Sequence, residues 1–305
     1  MLDDIPSEQI FSLLTAVRTA VPPPRRVPIP DFPLLNWGDV LEIQGPSASG
    51  KTHLLYSLLA TCIMPSSHHF IDLGGWGKGA VVFDTDGTFD TRQFHSLLLC
   101  AFSRSRISPD DIQHLAASCL RKLHVFCPGS TAQLAASIAH LPAYHTAHIP
   151  DTDIALVAVD SLSAFYWSDR FTAEQMRPLA LPNSSTPLQH VLTALQAFRV
   201  SHNPITLLTN WGLTLAENTN GMPPMYKQHL PFFPSFPALP GSHNNVPSDI
   251  LLPLTHHITL HLTPIPPFHS NPSFPDEADV RHEVAGYVRR PSSSQVDRFL
   301  VDVRT

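Results

Sequence analysis

Residues 45–52 read GPSASGKT, and this segment constrains the fold more than any other part of the chain. It follows an apolar run at residues 40–44 and opens a helical pattern of apolar residues. A Gly-x-x-x-x-Gly-Lys-Thr segment between a strand and a helix is typical of a loop whose backbone N–H groups hold phosphates. In such a loop, Lys51 would reach the β- and γ-phosphates of a nucleotide and the Thr52 hydroxyl would ligate Mg²⁺. The residues expected to bind the nucleotide are Gly45, Pro46, Ser47, Ala48, Ser49, Gly50, Lys51 and Thr52.

Polar residues at the ends of later apolar runs are candidates for metal binding and catalysis. Asp160 ends the run at 154–159, and a carboxylate there can hold a Mg²⁺ ion and its water shell. Asp86 follows the run at 80–83, and we predict that it orients the attacking water, with Lys51 as the second catalytic residue. Asn210 follows the run at 205–209 and is a candidate sensor of the γ-phosphate.

Each of these predictions has a plainer alternative. The loop could be a glycine-rich turn that holds no nucleotide. Asp160 could cap a helix or a turn, and Asn210 could simply begin a loop. The segment around Asp86 is rich in Asp and Gly, which favour solvated turns closed by side-chain hydrogen bonds.

Strands and helices alternate along the chain, which predicts an α/β fold with a doubly wound, mostly parallel sheet. After the first strand and helix, at 39–63, further strands are expected at 80–84, 123–126, 154–159 and 205–209. Helices are expected at 90–103, 109–120 and 130–140, and another begins at Thr186–Pro187 after a long loop. Residues 284–303 alternate in polarity like a hairpin, so antiparallel C-terminal edge strands are expected.

The distribution of proline indicates the domain organisation. Residues 1–35 are expected to form an N-terminal helix at 7–20 and a proline-rich linker. Residues 36–305 are expected to form one nucleotide-binding domain. Residues 222–275 contain 13 prolines, and we place a proline-rich insertion within this domain at about 215–255.

Composition excludes several functional classes. The net charge is −6 and only four residues are lysine, so a basic face for tight DNA binding by this chain alone is not expected. The four cysteines form no CxxC pair, which argues against a zinc site built from them. No apolar run approaches the ~20 residues of a membrane helix, so a soluble intracellular protein without membrane contact is predicted. The adjacent pairs His68–His69 and His256–His257 are expected to point to opposite faces of strands, and no histidine metal site is predicted.

Four segments together resemble the ATPase core of RecA-type recombinases, and among them the short eukaryotic recombinase paralogues. These segments are GPSASGKT at 45–52, VVFDTDGTFD at 81–90, LVAVDSLSAFYWSDR at 156–170 and ITLLTN at 205–210. The resemblance covers about 36–210 well and 250–303 loosely. It implies that 36–305 form a RecA-like P-loop ATPase domain that binds ATP and Mg²⁺. It also implies a nuclear protein that acts with other recombinase paralogues in a hetero-oligomer, in homologous recombination repair of DNA double-strand breaks, and contacts DNA mainly through that complex.

The sequence departs from the family at two positions. The recombinases have Glu where this chain has Asp86, and a carboxylate held about 1 Å too far from the water can cost ~10²-fold in rate. They have Gln where this chain has Trp211, and that Gln couples the γ-phosphate to DNA. We therefore expect at most a weak DNA-dependent ATPase. The alternatives are a nucleotide-independent scaffold subunit of such a complex and a P-loop kinase that acts on a small molecule.

Overall fold

The computed structural model describes residues 25–105, 107–176, 186–213, 226, 252–262, 282–290, 293 and 295–303. The helix expected at 7–20 and nearly all of the expected insertion at 215–255 lie outside the described residues.

The described residues form six helices and ten strands, which alternate along the first two thirds of the chain. The helices are α1 (Lys51–Ile63), α2 (Thr91–Ser103), α3 (Pro109–Leu120), α4 (Thr131–His148), α5 (Tyr166–Met176) and α6 (Pro187–His202). The first strands are β1 (Val40–Gly45), β2 (Ser67–His68), β3 (Ile71–Asp72), β4 (Gly79–Asp84), β5 (Leu123–Phe126) and β6 (Ile154–Asp160). The later strands are β7 (Ile205–Trp211), β8 (His256–Leu262), β9 (His282–Arg289) and β10 (Val296–Val303).

Eight strands form one sheet in the order β10-β9-β8-β1-β7-β6-β4-β5. The six strands from β8 to β5 run parallel, whereas β9 and β10 add to the β8 edge in antiparallel orientation. The predicted α/β class, with a mostly parallel sheet and antiparallel C-terminal edge strands, is confirmed. Because parallel strands end at the same edge of a sheet, the carboxyl ends of β1, β4, β6 and β7 lie side by side.

Helices cover both faces of this sheet, as parallel strands require. One buried cluster packs α1, α2 and α3 against one face and includes Leu58 and Phe94. The other packs α4 and α6 against the opposite face and includes Ile138 and Leu195. Each fully buried side chain of this size stabilises the fold by about 1.5–3 kcal/mol. Packing on both faces of the sheet therefore holds the carboxyl ends of its parallel strands in place.

Helix α4 is longer than predicted, since it continues past 140 to His148. Pro142 lies inside it and lacks the N–H that would continue the helical ladder, which is a signal to end a helix. Packing overrides this local preference. Leu141 is buried, and the ring of Tyr144 meets the ring of Phe126 on β5 with centroids 5.0 Å apart.

The prediction of one long loop before Thr186 was wrong, because α5 occupies Tyr166–Met176. This helix shows no apolar stripe, and Trp167 and Phe171 are exposed. Contacts between polar side chains support this helix. Arg170 pairs with Glu174 one turn later at 3.0 Å, and the Thr131 hydroxyl donates to Asp169 at 2.5 Å. Hydrophobic periodicity could not have found such a helix. Among the described residues, no helix combines the length and the apolar character needed to cross a bilayer.

Candidate nucleotide-binding site

The loop from Gly45 to Thr52 joins β1 to α1, as the sequence predicted. Ala48 and Gly50 have left-handed backbone conformations, with φ of 59° and 83°, which turn the chain tightly into the helix. A Cβ on Gly45 would lie 2.4 Å from the Oγ of Ser49, so only glycine fits there without movement. The first N–H groups of α1 have no partner within the helix and form an anion-binding end.

The side chain of Lys51 curls over the loop. Its Nζ donates to the carbonyl oxygens of Gly45 at 2.9 Å and Pro46 at 2.7 Å. Burial lowers the pKa of Lys51, and the nearby negative charges of Asp160 and Asp86 oppose that effect. The ammonium group thus lies between the loop and two carboxylates.

Asp160 ends β6 and is buried, with 5% of its surface exposed. Its Oδ1 accepts a hydrogen bond from the Thr209 hydroxyl on β7 at 2.5 Å. Its Oδ2 lies 3.4 Å from the hydroxyl oxygen of Thr52. Burial raises the pKa of Asp160, the Thr209 hydrogen bond lowers it, and the charge of Asp84 raises it again. Thr52 and Asp160, which we predicted to share a metal ion, therefore face each other.

The two carboxylates after β4 take different positions. Asp84 accepts from the backbone N–H groups of Thr88 at 3.0 Å and Phe89 at 3.1 Å, so it closes a turn. Asp86 is exposed and accepts from the Ser161 hydroxyl at 3.1 Å. Partial withdrawal from water raises the pKa of Asp86, the Ser161 hydrogen bond opposes this, and the charges of Asp160 and Asp84 raise it further. Asp86 is thus the carboxylate that reaches solvent, and its role in orienting a water stays a prediction.

The structure does not bring Asn210 to the loop. Alternation along β7 places Asn210 on the opposite sheet face from Thr209, and its Nδ2 donates to the buried carboxylate of Glu42 at 2.7 Å. A contact between Asn210 and a phosphate stays a prediction, and this geometry does not favour it. The next residue, Trp211, donates its backbone N–H to the Ser163 hydroxyl at 3.1 Å.

Sequence reasoning missed a set of hydroxyl groups that connect the strand ends. Ser163 donates to Ser161 at 3.3 Å, and Ser161 in turn donates to Asp86. Thr209 supports Asp160, and the Tyr56 hydroxyl on α1 accepts from the backbone N–H of Asp90 at 2.7 Å. A signal for Thr209 was present, because it lies at the end of a predicted parallel strand, as Asp160 does. These contacts fix the carboxylates relative to the loop.

The donor set fits a nucleoside triphosphate with Mg²⁺. Hydroxyl and carboxylate oxygens are the ligands that Mg²⁺ takes in such sites, and Thr52 and Asp160 offer one of each from facing elements. Lys51 adds a positive charge at the helix N-terminus. The fit rests on the tight turn of the loop at Gly45 and Gly50, on the position of Lys51 and on the Thr52–Asp160 pair.

Comparison with known proteins agrees with the resemblance seen in the motifs. The chain is 31% identical over 159 residues to the DNA repair protein XRCC2 of Mus musculus, which covers 51% of this chain and 52% of that protein. It is 24% identical over 220 residues to the DNA repair protein XRCC2 homolog of Arabidopsis thaliana, which covers 62% of this chain and 57% of that protein. The chain thus spans little more than half the length of these curated relatives. No protein-family model matches the sequence. The likeness to recombinase paralogues of the XRCC2 kind is confirmed.

Proposed function

We propose that this chain is an ATP-binding recombinase paralogue that acts in a hetero-oligomeric complex in homologous recombination repair of DNA double-strand breaks. The observation that carries the proposal is the convergence of Lys51, Thr52, Asp160 and Asp86 at one edge of a parallel sheet. Similarity to two proteins named as DNA repair proteins supports the repair role. That role in turn suggests that the chain works in the nucleus.

Binding of ATP in this proposal depends on charge and on backbone donors. The N–H groups at the start of α1 would hold the phosphates, and Lys51 would turn from the carbonyls of Gly45 and Pro46 toward them. Thr52 and Asp160 would hold Mg²⁺, which neutralises phosphate charge when bound. Burial of Asp160 strengthens its attraction to a cation, because the local dielectric is lower than that of water.

Hydrolysis is expected to be slow. Asp86 is held by Ser161, and its side chain is one methylene shorter than the Glu of the recombinases it resembles. A base displaced by about 1 Å can lose ~10²-fold in rate. Nucleotide binding would then act mainly by stabilising one conformation of the strand ends, and that conformation would be read by partner subunits.

We propose other recombinase paralogues as the partners and expect DNA contact mainly through the complex. The whole chain has a net charge of −6, and residues 201–280 contain one lysine and no arginine. A protein that binds DNA tightly by itself usually presents clustered lysine and arginine. A partner with such a surface would supply the missing charge.

Substitution of Lys51 tests the nucleotide site. An ammonium about 4 Å from a phosphate charge contributes roughly 4 kcal/mol at an effective dielectric constant near 20, so Lys51→Ala should weaken ATP binding by about 10³-fold. The fold should survive, because removing the half-buried Lys51 ammonium also removes the cost of withdrawing that charge from water. ATP titration by calorimetry measures the loss, and circular dichroism checks the fold.

Lys78→Ala is the matched control for this substitution. Lys78 pairs with Asp153 at 2.6 Å, and the Asp153 side chain is largely exposed. Surface pairs of this kind contribute little, so the control should bind ATP like the parent chain. Equal affinity of Lys51→Ala and the parent chain would refute the assignment of the loop as the nucleotide site.

One observation favours a second candidate, a nucleotide-independent scaffold subunit. The Lys51 ammonium is already paired with two carbonyl oxygens of its own loop, so the loop is internally satisfied. Co-purification of tagged parent chain and Lys51→Ala from nuclear extract separates the two candidates. Loss of partners with Lys51→Ala supports ATP-dependent assembly, whereas unchanged partners with Lys51→Ala support the scaffold, whether or not the parent chain binds ATP.

A further inference from the structure

Three metal-ligating side chains meet far from the nucleotide loop. His68, His69 and Asp111 each offer one ligand atom, and these atoms all lie within 4.8 Å of one another. Within the described ranges, this is the one group of three His, Cys, Asp or Glu side chains that meets this criterion. Helix α1 has 13 residues and is about 20 Å long, so the group, which follows its C-terminal end, lies well away from the loop at its start.

The hairpin β2–β3 brings the two histidines together, and the expectation that they point to opposite faces was wrong. His68 pairs with Ile71 across a two-residue turn. The turn residues His69 and Phe70 have left-handed backbones with φ of 45° and 68°, which normally favour Asn and Gly. The turn rotates His69 back toward its neighbour, and the two ring centroids lie 4.1 Å apart.

Asp111 approaches from α3 and is itself held in place. It lies in the first turn of the helix, where the Ser108 hydroxyl donates to its Oδ2 at 2.7 Å. A hydrogen-bonded carboxylate is the usual arrangement for a ligand oriented by its surroundings. His68 adds an independent observation, because its Nε2 is buried and has no hydrogen-bond partner among the described contacts. A buried polar nitrogen without a partner carries a desolvation cost, and binding of a cation through Nε2 would relieve it.

We propose that His68, His69 and Asp111 form a Zn²⁺ site with a water molecule as the fourth ligand. Two imidazoles and one carboxylate suit Zn²⁺ in both chemistry and number. Bonds of about 2.0–2.2 Å require the three donors to approach within roughly 3.5 Å. Small rotations of the exposed His69 ring and of the partly buried His68 and Asp111 side chains can supply that contraction. The ion would fasten the β2–β3 hairpin to α3 and would not take part in nucleotide chemistry.

The test is a titration of the 305-residue chain with Zn²⁺, followed by calorimetry. Cys100 and Cys127 are exposed thiols, so the cysteines are alkylated beforehand to remove competing ligands. We expect binding of one ion per chain. His69→Ala and Asp111→Asn should each lower the affinity for Zn²⁺ by more than about 100-fold. Ser108→Ala should lower it by about 10-fold, because Ser108 would orient the Asp111 carboxylate without binding the ion itself.

Two neighbouring substitutions serve as controls. Asp110→Asn removes the same charge one residue away, and His140→Ala removes an exposed imidazole on α4. Both should bind Zn²⁺ like the parent chain. In the parent chain, Zn²⁺ should slow amide hydrogen exchange across Ser67–Asp72, and in His69→Ala it should not.

Three outcomes would overturn the proposal. They are no stoichiometric binding by the parent chain, unchanged affinity in both His69→Ala and Asp111→Asn, and equal losses in the two controls. Circular dichroism of each variant establishes that a loss of binding is not a loss of fold. All of these readouts are independent of ATP, so failure of the nucleotide proposal would leave this test intact.

Discussion

The contact between Thr209 and Asp160 allows a sharp test of the site's construction. The Thr209 hydroxyl donates to Asp160 at 2.5 Å, and the two residues are 0% and 5% exposed. Thr209→Val keeps the shape of the side chain and removes the donor. The carboxylate of Asp160 then stays buried with one hydrogen bond fewer.

The expected cost follows from this burial. A hydrogen bond to a charged group contributes about 1.5–3 kcal/mol, and we expect Thr209→Val to lower the free energy of unfolding by about 2 kcal/mol near neutral pH. For a chain of 305 residues, that corresponds to a fall in Tm of roughly 3 °C. Mg²⁺-dependent ATP binding should weaken as well, because Asp160 loses the contact that orients it.

The cost should depend on pH, and the direction is determined by Asp160. Burial already raises the pKa of this carboxyl above its usual value, and the Thr209 hydrogen bond counteracts that rise. Because the folded pKa lies above the unfolded one, ionised Asp160 lowers stability as the pH rises through the folded pKa. Without the hydrogen bond the pKa rises further, so the loss in Thr209→Val is largest where Asp160 is ionised and shrinks as acid protonates it.

Urea unfolding at about pH 7.5 and at about pH 4 measures both quantities. Thr206→Val is the matched control, since Thr206 lies on the same strand, is equally buried and points to the opposite face of the sheet. Its effect should not change with pH in the same way. A cost for Thr209→Val that is the same at both pH values, or that equals the cost in the control, would refute the argument.

Two further predictions concern catalysis and the edge of the sheet. Asp86→Glu should raise the rate of ATP hydrolysis by up to about 10²-fold, because the longer side chain carries the carboxylate about 1 Å closer to the water. Phosphate release measures the rate of hydrolysis. An unchanged rate would show that Asp86 does not orient the attacking water. Gly286→Ala should lower stability by about 1–3 kcal/mol, because its Cβ would lie 2.1 Å from the ring of Phe299. Adding Phe299→Leu to Gly286→Ala should recover part of that loss in urea unfolding, and a strictly additive double mutant would contradict the proposed clash.

Much of the fold could be predicted from the sequence, because its signals are local and strong. The loop at 45–52 lies between an apolar strand and a helix as expected, and the strand at 154–159 extends by one residue to include Asp160. Thr186 caps α6 with a side-chain hydrogen bond to the backbone of Gln189, and Thr186–Pro187 was the predicted start. In each case, the residues that form the element also carry the pattern.

Other parts of the structure depend on contacts between segments that are distant in sequence. Helix α4 continues through Pro142 because Leu141 and Tyr144 pack against the sheet. The turn at His69 and Phe70 contains neither Asn nor Gly, the residues that such turns favour, so local preference could not predict it. The hydroxyl groups that support Asp160 and Asp86 come from a different strand or a later loop.

The sequence alone determined that this chain has a Gly-x-x-x-x-Gly-Lys-Thr loop between a strand and a helix, a parallel sheet and carboxylates at strand ends, because a few consecutive residues specify each of these features. The tertiary structure decided which of those side chains meet. Strand order places β7 between β1 and β6, so Thr209 reaches Asp160, while alternation along β7 turns Asn210 to the opposite face. The physical reason is that contact between side chains depends on the order of strands and the face of the sheet, and neither is a property of a short segment.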